Sequence, residues 1–163
     1  CIPQGWIWQG GIALAVVMFG DSVDGTLARM TTGGTRFGAF LDSTLDRLGD
    51  GAVFGSLTAY AVFQMDDSLV RTWAIIAGIC SIVGAAAVPY ARARAESVGV
   101  VAKLGIAERT DRLIIGMGTA ILMSLGLPEW IFAAGLTWVA CASFVTVCQR
   151  IWFTARHIDE GAQ

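Results

Sequence analysis

Asp21, Asp24, Asp42 and Asp46 are the residues of this 163-residue chain whose type and spacing could do chemistry. The first two stand three apart and the last two four apart, so on two helices each pair presents both carboxylates on one face. Carboxylates set in apolar sequence are unfavourable unless paired or bound to a cation, which marks these four as a functional site. No His or Cys lies between them. Their hard oxygen donors suit Mg2+ or Mn2+ and not zinc. About four negative charges are neutralised better by two divalent ions than by one, and two such ions roughly 3.5–4 Å apart can clamp a diphosphate for in-line displacement at phosphorus. One carboxylate can double as general base, and spacing alone does not choose which.

The elements that must position these acids are helices in a membrane. Hydrophobic residues make up 55% of the chain and charged residues 15%, which excludes disorder and points to a membrane protein. Uncharged runs fall at 6–20, 51–65, 74–90, 113–127 and 130–149, with the charges almost wholly between them. The expectation is therefore an all-α, polytopic bundle of five spans, forming one domain over residues 1–163. A span needs roughly 20 apolar residues, so the shorter runs must extend into their polar flanks or sit beside thinned membrane. If the loop bearing Arg29 and Arg36, with Arg47 nearby, the segment 92–112 and the tail after Gln149 share a side, that side holds all the Lys and Arg except Arg71. By the positive-inside rule it is the cytoplasmic side, and the acidic site lies there.

Along the chain, Thr-Thr-Gly-Gly-Thr at 31–35 breaks the first helix, and Thr35 stands where the next needs an N-cap. Gly38, Asp42, Asp46 and Asp50 then follow at four-residue steps. Asp50 is expected to pair with Arg47 or to be solvated rather than to be a fifth ligand. Gly51 and Gly55 form a small-xxx-small pair suited to packing a neighbouring helix. Pro89 is expected to bend or end the helix carrying Arg92 and Arg94, which stand two apart and so point in different directions. Arg109 and Arg112, three apart, share a face, and Arg150 follows the last apolar run. Together they would make a basic rim around the acids. Cys80, Cys141 and Cys148 have no metal-ligand spacing and are expected to be buried thiols. The basic residues are few and lie at the membrane edge, which argues against nucleic-acid binding.

Asp21 to Asp46 fill the pattern D-x2-D-G-x2-A-R-x8-G-x3-D-x3-D, with Gly25, Ala28, Arg29 and Gly38 at its other fixed positions. In this the chain resembles the CDP-alcohol phosphotransferases, integral-membrane enzymes that make phospholipid headgroups. The stretches YARARAE and ERTDRLII are similar to the actinobacterial phosphatidylinositol phosphate synthases. The resemblance implies that Asp21, Asp24, Asp42 and Asp46 contact two Mg2+ or Mn2+ ions, that Asp46 is the base, and that Gly25, Arg29 and Thr35 bind CDP-diacylglycerol. It implies an acceptor-phosphate site at Arg92, Arg112 and Arg150, with Arg94 and Arg109 as further candidates. The implied reaction is attack of an inositol phosphate hydroxyl on the lipid-side phosphate, releasing CMP, in a homodimer of a bacterial plasma membrane. That family usually has six spans, so a first span is expected to be missing from this chain. Glycerol 3-phosphate is the rival acceptor. A cation transporter with an intramembrane acidic site is the rival of another class, but it leaves Gly25, Ala28, Arg29 and Gly38 unexplained.

Overall fold

The computed structural model describes residues 35–102, 104–106 and 108–158, and among these the chain is wholly helical. Four helices follow one another: α1 (Arg36–Gln64), α2 (Leu69–Ser97), α3 (Arg109–Ser124) and α4 (Trp130–His157). The apolar run at 6–20 lies outside the described residues.

Helix α1 begins where the breaker sequence ends. The Thr35 side chain accepts from the Gly38 amide at 3.0 Å, satisfying a donor that the first turn would otherwise leave open. Its first half is exposed or half-buried, and from Asp50 onward a stripe of Asp50, Val53, Phe54, Leu57 and Ala61 enters the core. Spaced at three and four residues, that stripe is one helical face. Arg71 then closes the turn into α2, pairing with Asp67 at 3.1 Å and donating to the Val62 carbonyl at 2.9 Å.

Helices α2 and α4 are long and apolar enough to cross a membrane, each with a mean hydropathy of 2.0 over its most apolar stretch. At 29 and 28 residues they exceed the roughly 30 Å of a hydrocarbon core, whereas the 16 residues of α3 extend only about 24 Å. The most extensive packing in the described bundle is between α2 and α4. Small residues bring them together: a Cβ built on Gly84 would stand 2.7 Å from that of Ser143. The Ser81 hydroxyl donates across the seam to the Leu136 carbonyl at 2.9 Å, and the Trp73 indole donates to Thr137 at 2.8 Å. Close approach and interhelical hydrogen bonds replace the hydrophobic drive that lipid does not supply.

Three local expectations are corrected. Of the two effects expected of Pro89, the end of the helix is excluded, since α2 runs on through it to Ser97. A Cβ built on Gly51 or Gly55 would meet nothing within 4 Å among the described residues, and the tight approaches fall instead at Gly78, Gly84, Gly116 and Gly135. Cys141 and Cys148 are exposed and Cys80 is half-buried, so these thiols are not core residues. On a membrane helix an apolar residue need not face the protein, because lipid is as apolar as the core.

Candidate active site

The acids of α1 descend into the bundle one turn at a time. Asp42 is exposed, the Asp46 side chain is 21% exposed and that of Asp50 only 3%. Helix α3 meets this descending face with its first turn. The Arg109 guanidinium bridges two turns of α1, donating through Nη1 to Asp46 at 2.7 Å and through Nε to Asp50 at 2.9 Å. Arg112, buried to 2% exposure, places Nη2 at 3.5 Å from the second Asp50 oxygen. Arg47 approaches Asp46 at 3.8 Å.

Asp50 therefore has neither of its expected roles: it is not solvated, and its partners are Arg109 and Arg112 rather than Arg47. A carboxylate this deep must be paired and hydrogen-bonded. The sequence held the signal. Asp50 extends the four-residue stripe of Asp42 and Asp46, and Arg109 and Arg112 offer two cations on one helical face. What could not be read was that the two faces meet.

Beside this acidic ladder lies a cavity of about 1190 Å³. Arg47, Arg92, Arg109, Arg112 and Arg150 line it, with Glu96 and Glu108 on its wall. The structure thus brings Arg92, Arg112 and Arg150 to one cavity and adds Arg109 and Arg47, the last unforeseen. Arg94 does not line it and is exposed. Of the two arginines before Glu96, Arg92 is the inward one, and it pairs with Glu96 at 2.9 Å.

The five cations differ in how much donor capacity they keep. Arg150 lies inside α4, and holds the far wall by donating through Nε to the Leu104 carbonyl at 2.9 Å and through Nη1 to the Val88 carbonyl at 2.6 Å. Next to it Thr146 accepts from the Ile106 amide at 3.2 Å, and Gly105, at φ +153°, passes so close to Thr146 that a side chain would clash. Arg112 keeps more: its buried Nε and Nη1 have no hydrogen-bond partner among the described residues. Buried guanidinium donors without a partner, on a residue that lines a cavity with further arginines, suit a phosphate-bearing ligand.

Asp21, Asp24, Gly25 and Arg29 lie outside the described residues. Among the described residues no group of three or more His, Cys, Asp or Glu gathers as metal ligands. Asp42 and Asp46 offer carboxylate oxygens one turn apart, a donor type that fits a hard divalent ion.

A sequence profile of the CDP-alcohol phosphatidyltransferases matches residues 1–146. The chain belongs to this family. Among similar CDP-alcohol phosphatidyltransferases, the phosphatidylinositol phosphate synthase of Mycolicibacterium smegmatis is 40% identical over 152 residues, covering 91% of this chain and 66% of the relative. That of Cutibacterium acnes is 37% identical over 158 residues, covering 93% and 74%. The chain thus spans about two thirds to three quarters of the length of these relatives. The crystal structure of the Mycobacterium tuberculosis synthase in complex with manganese and citrate superposes with a TM-score of 0.84 at 35% identity, covering 94% of this chain and 73% of that one. The same enzyme with CDP-DAG bound gives a TM-score of 0.83, with 94% and 76% covered.

Proposed function

We propose that this CDP-alcohol phosphatidyltransferase transfers the phosphatidyl group of CDP-diacylglycerol to a hydroxyl of inositol phosphate, releasing CMP and forming phosphatidylinositol phosphate. The observation that carries this is the arginine-lined cavity joined to the α1 acids through Arg109, at 2.7 Å from Asp46. A cation transporter has no use for such a cavity. An acceptor that already bears a phosphate does.

In this proposal Asp21, Asp24, Asp42 and Asp46 hold two divalent ions, Mg2+ or Mn2+, which when bound supply charge neutralisation at the diphosphate. The M. tuberculosis relative crystallised with manganese supports a divalent ion. Gly25, Arg29 and Thr35 bind the CDP-lipid, consistent with CDP-DAG bound to the same relative. Arg112 and Arg92 bind the acceptor phosphate, and Arg150 shapes the wall and offers the donors it has left. Asp46 takes the proton of the attacking hydroxyl. The oxygen then bonds to the lipid-side phosphorus, the bond from that phosphorus to the CMP oxygen breaks, and CMP leaves with the electron pair. Five spans in this chain, a cytoplasmic site and a homodimer in a bacterial plasma membrane complete the proposal.

Membranes carrying the full protein are expected to release CMP from CDP-diacylglycerol when inositol phosphate and a divalent ion are supplied. Equal or faster release with glycerol 3-phosphate would reassign the acceptor. Release that persists in excess chelator would remove the divalent ions from the reaction.

A further inference from the structure

Asp50 lies outside the Asp21–Asp46 pattern, yet it is the most deeply buried acid described and the one that touches both arginines of α3. One oxygen receives Arg109 Nε at 2.9 Å and the other faces Arg112 Nη2 at 3.5 Å. We propose that Asp50 is a positioning residue for the acceptor site: it holds Arg112 by one edge and leaves its other donors unpaired for the acceptor phosphate, and it sets Arg109 against Asp46.

The geometry of Arg112 is the first support. A guanidinium has five N–H donors in a fixed fork, and a carboxylate on one side fixes where the rest point. Here Nη2 faces Asp50, whereas the buried Nε and Nη1 have no partner among the described residues. A flexible arginine would have lost side-chain entropy on meeting its ligand; one already held does not. The second support is Arg109, which reaches Asp50 and Asp46 with different nitrogens of one planar group. That links the residue proposed as base to the pocket proposed for the acceptor through a single rigid fork. Among the described residues, Arg109 without the Asp50 charge keeps only Asp46, and Arg112 loses its one carboxylate partner.

This inference rests on the cavity receiving a phosphate-bearing alcohol. The test is the steady-state kinetics of the full protein in membranes, with each substrate varied in turn. Asp50→Asn keeps the side chain's size and removes its charge. Loss of a residue that orients a ligand-binding group weakens binding about tenfold or more, so the acceptor KM is expected to rise by at least that factor while the KM for CDP-diacylglycerol stays within about threefold of wild type. An unchanged acceptor KM would overturn the proposal, as would both KM values rising together with a lowered melting temperature. If Asp50→Asn does not assemble, Asp50→Glu, which keeps the charge and lengthens the arm, takes its place. A raised acceptor KM alone then supports the proposal, and wild-type values for both substrates overturn it. A wild-type protein that releases no CMP with inositol phosphate would remove the functional proposal itself. An active wild type beside an unaffected Asp50→Asn would remove only the role given to Asp50.

Discussion

The decisive residues are arginines distinguished by what already occupies them. Arg92, Arg94, Arg109, Arg112 and Arg150 look alike in sequence, and only the folded geometry separates them. Arg109 is committed to Asp46 and Asp50, Arg150 to two backbone carbonyls, and Arg94 does not line the cavity, while Arg112 keeps two donors without a partner among the described residues. Arg112→Lys replaces a fork by a point charge, and the acceptor KM is expected to rise about tenfold, equivalent to about 1.4 kcal/mol. Arg94→Lys should leave it unchanged. Thr35 invites a simpler test, since its hydroxyl caps α1. Thr35→Ala should cost about 1 kcal/mol in thermal unfolding, and Thr35→Ser should restore it. The Thr35 cap and the four-residue spacing of Asp42, Asp46 and Asp50 along α1 were legible in sequence because each is a local pattern. The Asp50 pairing was not, because it joins residues 59 and 62 positions apart.

At the scale of elements, the site depends on how closely α2, α3 and α4 approach. Gly84 sits where any side chain meets Ser143, whereas a side chain at Gly51 meets nothing within 4 Å among the described residues. Gly84→Val is expected to destabilise the detergent-solubilised protein by about 1–3 kcal/mol, read as a lowered melting temperature. Gly51→Ala should be neutral or stabilising, by up to about 1 kcal/mol, through helix propensity alone. The small-xxx-small spacing marked Gly51 with Gly55 and passed over Gly84. It could not say which would meet a described helix, because that spacing specifies a face of one helix and not its partner. The same reasoning explains the cysteines: in an apolar helix periodicity is weak, and burial inside the protein is not separable from burial in lipid.

At the scale of the whole molecule, the charges define two ends. The turn at 65–68 carries Asp66 and Asp67 with Arg71, while the cavity end gathers the other described arginines that bear on the site. With the native cysteines replaced, Asp67→Cys should react with a membrane-impermeant maleimide on intact cells, and Glu108→Cys only after permeabilisation. Reaction of both from outside would reverse the orientation. The all-helical class was plain from composition, and the family from eight fixed positions, of which Gly38, Asp42 and Asp46 lie among the described residues. The measurement that bears most directly on the joined acidic and basic site follows the acceptor itself. Membranes with the full protein, CDP-diacylglycerol and isotope-labelled inositol phosphate should pass label into the lipid phase when a divalent ion is present, and Asp46→Asn should pass none. Label that stays in water while CMP is still released, or that reaches lipid in Asp46→Asn, would contradict the mechanism.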